Sequence, residues 1–172
     1  MKKILVLFLM MAPLSLFAQK FGYVNSVEIA QVMPEYTKAI NELKTLEKQY
    51  SDELKHIATE FEKKRNELEQ VKDSLPESIL QRRAVELEEI YARMEQYRQT
   101  SAQSFEQARE TKFAAINEKL QKAIQDVGRE GTYICVFDIA SGIPYISETL
   151  CDNLDAKVKA KLGISATAAP VK

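Results

Sequence analysis

The chain has 172 residues, with 24 Lys and Arg against 25 Asp and Glu, a formal charge of −1, one histidine and two cysteines. That balance excludes an ordinary nucleic-acid binder, which needs a basic surplus to displace counterions from phosphates, and it turns further acidic if Lys2 and Lys3 are lost in processing. The length fits one domain rather than several.

Met1-Lys2-Lys3 is a basic start, and Ile4 to Phe17 is apolar apart from Ser15, with Pro13 inside it. The stretch is too short to span a bilayer comfortably, and it ends in Leu16-Phe17-Ala18 before Gln19, a signal-peptidase pattern. Residues 1–18 therefore read as a cleaved export signal, and 19–164 as the folded domain. No cysteine follows directly, which argues against a lipid anchor at that point.

Phe21 to Asn25 is a short apolar run with alternation and reads as a strand over 21–25. Asn25-Ser26-Val27-Glu28 has the form of a capping box and opens a first helix over 26–73, with a kink or a restart near Pro34, since a proline disfavours helix at the residue before it. From Pro34 to Gly128 there is no glycine, and the only further proline is Pro76. Such a run reads as two long helices folded back at one point. Ser74-Leu75-Pro76-Glu77 has the S-x-x-E form, with Ser74 as cap and proline tolerated in the first turn, and predicts a second helix over 75–127.

After Gly128 the sequence becomes strand-like. Tyr133-Ile134-Cys135-Val136-Phe137 predicts a strand over 132–138 and Ile143 to Ile146 another over 143–147, joined as a β-hairpin through Ala140-Ser141-Gly142. Leu154, Val158 and Leu162 predict a last helix over 153–162, capped by Asp152 or Asn153. Residues 165–172 carry too little apolar bulk to pack and read as a disordered tail.

The two long helices carry matching apolar seams. The first is Leu43, Leu46, Tyr50, Leu54, Ile57, Phe61, Lys64, Leu68 and Val71, and the second is Leu80, Arg83, Leu87, Ile90, Met94, Tyr97, Ser101, Phe105 and Ala108. In antiparallel register Leu43 faces Ala108, Phe61 faces Ile90 and Val71 faces Leu80. The same register sets Tyr50 opposite Ser101 and brings Val127 beside Val24. Lys64 and Arg83 each face a leucine, which their aliphatic stems can cover while the charge reaches water. Both seams depart from a strict heptad at the same level, at Leu46-Tyr50-Leu54 and Tyr97-Ser101-Phe105, so the supercoil unwinds in both arms together. The fold class is α+β, mostly α: a long antiparallel coiled-coil hairpin, with arms of about 70 Å, projecting from a small base of strands. Two helices are too little core alone and the strands leave open edges, so the base is expected to assemble with further copies.

With its opening Phe21-Gly22-Tyr23-Val24-Asn25, then Met33-Pro34-Glu35-Tyr36, Tyr133-Ile134-Cys135-Val136-Phe137-Asp138 and Asn153-Leu154-Asp155-Ala156-Lys157-Val158, the chain resembles the Skp/OmpH family of periplasmic chaperones. The resemblance implies a homotrimer in the periplasm whose helical tentacles enclose unfolded outer-membrane proteins and hold them without ATP. Apolar residues off the paired seam, Val85, Tyr91 and Phe113, are then the candidates for client binding. The alternative is a structural or adaptor coiled coil of the cell envelope that binds one partner through its hairpin.

Familiar members of that family are strongly basic with positive tips. Here Lys63, Lys64, Arg65, Lys72, Arg82 and Arg83 are balanced by Glu60, Glu62, Glu67, Glu69, Asp73 and Glu77. Contact with membrane or lipopolysaccharide through Arg82 and Arg83 is therefore not expected, and a solvated helix face is. Asn153 and Asp155 also stand where the family usually has aspartate and threonine, and either can still cap a helix. No phosphate loop, nucleophile with a base or metal-ligand cluster is legible, so neither an enzyme nor a cofactor is expected, and His56 reads as an ordinary helix residue. Cys135 and Cys151 read either as a disulfide or as free thiols with Cys135 buried in its strand.

Overall fold

The computed structural model describes residues 19–168. The export signal over 1–18 and the last four residues of the expected tail lie outside them. The described residues divide into two compact units, one of residues 19–37 with 115–168 and one of Lys38–Ala114.

The first unit is built around a three-stranded sheet. Strand β1 (Lys20–Val24) lies in its centre, with β2 (Tyr133–Asp138) on one side and β3 (Cys151–Asn153) on the other, both parallel to it. The expected hairpin between 132–138 and 143–147 is therefore incorrect. Residues 143–147 form no strand. Pro144 has no N–H to give a ladder, and β2 and β3 cannot be direct neighbours because β1 separates them. The connection instead leaves β2 through a 3₁₀ turn (Ile139–Ser141) and a left-handed Gly142, φ 82°.

Side chains alternate across the sheet. Gly22 and Val24 face the core with Val136, the partner of Gly22 on β2, and Leu154 lies so close over Gly22 that an added Cβ would sit 2.5 Å from its Cδ1. Val24, Ile29, Met33, Leu154 and Val158 are at most 1% exposed and form the centre of this unit. They come from β1, from helix α1 (Ser26–Gln31), from the α1–α2 junction and from helix α4 (Asp155–Lys161) with the residue before it. Burial on this scale stabilises by roughly 1.5–3 kcal/mol per large aliphatic side chain.

Polar caps tie these elements together. Asn25 caps α1 by accepting from the Glu28 N–H at 3.2 Å, as the sequence pattern suggests. The Asn25 N–H, which Glu28 would take in a capping box, is bound instead by Asp155 Oδ1 at 2.8 Å. Asp138, at the end of β2, accepts from the Ser26 N–H at 3.1 Å and from its hydroxyl at 2.5 Å, and also from the Ala140 N–H. Burial alone would push the Asp138 carboxyl up, but these donors outweigh it and hold the group below its ordinary value. Asn153 accepts from the Asp155 N–H at 2.9 Å, and the helix begins two residues later than expected.

The first long helix breaks at Val32–Met33, where Pro34 begins helix α2 (Pro34–Val71) and the Met33 carbonyl accepts from Tyr36 and Thr37. Pro34 thus restarts the helix, one of the two effects expected of it. Helix α3 (Glu77–Glu130) runs through Gly128, which is buried with Val136 against its Cα, so its end lies beyond the expected 127. Thr132 then takes a left-handed φ of 55°. At the other end of the chain Lys159 donates to the Ala168 carbonyl at 3.1 Å, so 165–168 form a turn held by α4 where a disordered tail was expected.

The second unit is the paired portion of α2 and α3. Leu43, Ile57 and Ile90 are buried, and the remaining apolar seam positions are half-buried apart from Val71, which is 38% exposed. At the turn a 3₁₀ segment (Lys72–Ser74) follows α2. Ser74 donates its hydroxyl to the Val71 carbonyl at 2.9 Å, and the Pro76 carbonyl receives the Leu80 N–H. The expected capping by Ser74 is thus reversed: it closes the outgoing arm. Leu75, extended at ψ 144° before the proline, hands the start of α3 to Pro76.

Candidate functional site

Among the described residues four ion pairs cross between the two long helices: Glu35 with Lys119, Glu42 with Lys112, Glu60 with Arg93, and Lys64 with Glu86. Hydrogen bonds from Lys112 and Lys64 hold Glu42 and Glu86 below the usual carboxylate range. Exposed pairs of this kind add little stability, but each carboxylate must find its own cation, which selects the register. The rings agree with it. Phe61, expected opposite Ile90, packs against the adjacent Tyr91 with centroids 6.2 Å apart, and Tyr50 meets Tyr97 at 6.3 Å, one turn from its expected partner Ser101.

The three off-seam candidates differ in place. At about 100° per residue, Val85 lies opposite the seam of α3 and Tyr91 on its flank. Their exposures are 51% and 56%, whereas Phe113 is half-buried. The fold does not gather them into one patch. Val85 sits in a shallow hollow of about 430 Å³ with Arg82, Glu86 and Glu89, and Tyr91 leans on Phe61. His56 lines a second hollow with Glu53, Ile57, Glu60, Arg93 and Tyr97. Among the described residues no three His, Cys, Asp or Glu side chains come together as metal ligands.

Around the turn, Arg65 pairs with Glu62 and Lys72 with Glu69, at 2.5 Å each, while Lys63, Arg82 and Arg83 make no ion pair among the described residues. The positive side chains there are thus interleaved with carboxylates rather than massed.

The largest apolar exposure lies in the sheet unit, where the sequence reading placed no site. Ile134 is 61% exposed, Phe137 36%, Tyr145 80% and Leu150 79%. The face of the sheet opposite Leu154 carries Phe21, Tyr23, Cys135, Phe137, Cys151 and Asn153, with Phe21 and Phe137 stacked at 6.3 Å. Among the described residues both outer strands leave an edge unpaired. The signal was present in the apolar residues from Ile134 to Phe137, where the pairing with β1 shifts register at Ile134, but a hairpin partner at 143–147 would have covered that edge. Cys135 and Cys151 are both free, and Cys135 is exposed where a buried thiol was expected.

No described helix is long and apolar enough to cross a membrane. The family model for outer membrane proteins of the OmpH-like kind matches residues 20–162. No curated protein sequence matches significantly. Among solved structures, a protein from Caulobacter crescentus CB15 described as an OmpH-like outer membrane chaperone superposes with a TM-score of 0.74 at 15% identity, over 90% of this chain and 91% of the other. At that identity the likeness is one of fold.

Proposed function

The chain belongs to the OmpH-like family, and from that premise we propose that it is an ATP-independent holdase of the periplasm, a trimer that shelters unfolded outer-membrane proteins between its helical hairpins. Membership over almost the whole domain is the observation that carries the reading. The surface supports it. The seam residues cover one another, so what remains for clients is a dispersed set of apolar side chains such as Val85 and Tyr91 among charges. Dispersed, individually weak contacts suit clients of differing sequence and release them without an energy source. Such a protein holds its clients and catalyses no reaction.

Trimerisation is supported by the open edges of β2 and β3 and by the exposure of Ile134, Phe137 and Leu150 at or beside them, which further copies would cover. The export pattern of residues 1–18 and the family together support a periplasmic site. The interleaved charges around the turn favour a solvated tip over a lipid-binding one.

The test is suppression of aggregation. Purified protein at stoichiometric amounts should keep several unrelated unfolded β-barrel proteins soluble without nucleotide. Failure with all of them would leave the adaptor reading, one partner bound through the hairpin.

A further inference from the structure

We propose that Cys135 and Cys151 form disulfides between neighbouring copies of this chain, one bond at each junction of the assembly. The inference rests on the trimer reading above and gives it a redox-dependent closure.

The geometry starts from Phe21. On β1 it is the register partner of Cys135 on β2 and of Cys151 on β3, so both thiols lie at one level and on one face of the sheet. They are two strand spacings apart, about 10 Å. A disulfide needs Cα atoms within about 7 Å, so the two cannot bond within one chain while β1 separates them. Each, however, occupies an outer strand, and the two strands form opposite edges of the sheet.

Copies can join edge to edge in one way that continues this sheet. All three strands run parallel. Rotation about an axis along the strands preserves their direction, so β2 of one copy can add to β3 of the next as a further parallel neighbour, and a head-to-tail junction of that kind closes into a ring. Pleat phase restricts the register, because a one-residue slip would turn the exposed apolar set to the other face. Cys135 and Phe137 must therefore align with Cys151 and Asn153. In the register that places Cys135 beside Cys151, their Cα atoms stand about 4.8 Å apart, inside the disulfide range. The neighbouring residues fit such a junction: Ile134 precedes Cys135 and Leu150 precedes Cys151, exposed at 61% and 79% and both covered by the join.

The chemistry is thiol–disulfide exchange with a small or protein disulfide as oxidant. One cysteine thiolate attacks a sulfur of the donor disulfide, forming a mixed disulfide and expelling one donor thiolate. The second cysteine, from the adjoining copy, attacks the mixed disulfide as its thiolate and expels the other. Two electrons pass to the donor, and the two protons lost by the cysteines end on its thiols.

Oxidised glutathione added to the purified protein, followed by a non-reducing denaturing gel and by mass photometry, tests this. The expected result is covalent dimer and trimer that collapse to monomer with reductant. Cys135→Ser and Cys151→Ser should each abolish all covalent product while keeping the trimeric native mass. Refolding the two variants together should restore covalent dimer and no covalent trimer, because each mixed ring holds a single complete cysteine pair. A native trimer without covalent product would overturn the disulfide and spare the trimer. Covalent dimer persisting in Cys151→Ser alone would also overturn it, by showing like edges joined. Monomer at every concentration would sink the trimer reading and the disulfide together.

Discussion

Replacing Gly22 with alanine tests the packing that organises the sheet unit. In a strand this change ordinarily stabilises by about 0.4–1 kcal/mol, because alanine loses less backbone freedom on folding. Here the new methyl would lie 2.5 Å from Leu154 Cδ1, 3.0 Å from its Cγ and 3.4 Å from Tyr133 Cδ1. Leu154 has no room to yield: its side chain is fully buried and its N–H is bound to the Tyr23 carbonyl at 2.9 Å. Forcing a methyl into a closed core costs roughly 1–3 kcal/mol, so the balance is a loss of about 1–2 kcal/mol. Urea unfolding at one fixed protein concentration reads it, since association shifts the midpoint. Leu154→Ala alone should cost about 2–5 kcal/mol, and in the Gly22→Ala background clearly less, because the alanine occupies part of the space vacated. A Gly22→Ala protein as stable as the wild type, or additive costs in the double variant, would refute the packing argument.

Thr132 is a β-branched residue at φ 55°, so Thr132→Gly should raise stability by up to about 1 kcal/mol in the same urea assay. Asp138 has its folded-state pKa below its ordinary value of 3.8. Its contribution is present above that value and is lost as pH falls through the depressed one; Asp138→Asn should lower stability at neutral pH by about 0.5–2 kcal/mol and flatten the acid limb of the stability profile. The triple variant Val85→Ser, Tyr91→Ser and Phe113→Ser should weaken client holding about tenfold or more at unchanged trimer mass, as a summed loss above roughly 1.4 kcal/mol requires. Aggregation suppression equal to the wild type would remove these residues from the client surface.

The arms were legible because nothing in them competes with the helical period. From Leu43 to Ala108 the apolar spacing runs three-four on both sides of Pro76, and the structure leaves only Val71 of those apolar positions exposed. The sheet was less legible because its pairing depends on backbone brought from far apart. Cys151-Asp152-Asn153 has little strand character and becomes β3 because β1 offers it an edge, while the more apolar Ile143 to Ile146 is disqualified by Pro144. Gly128 reads as a stop in the sequence, although its missing side chain serves the contact of α3 with Val136. Caps supplied by Asp138 and Asp155 to residues 112 and 130 positions away leave no local pattern to read. Of the candidate client residues, Val85 and Tyr91 were found by their mismatch with the seam, whereas the apolar strand edge was masked by a hairpin that does not form.

The position of β1 also orders events in time. The strand that every other strand needs is made before them, and its partners are the last thirty or so residues of the domain, so during synthesis Lys20–Val24 emerges with nothing to pair with. Closing so long a loop at random would be slow. Arms that zip from Pro76 shorten it step by step, using local contacts at each turn of helix. In this chain the arms are therefore first a folding device for their own base, and a variant that weakens the seam near the turn should slow assembly before it affects any partner.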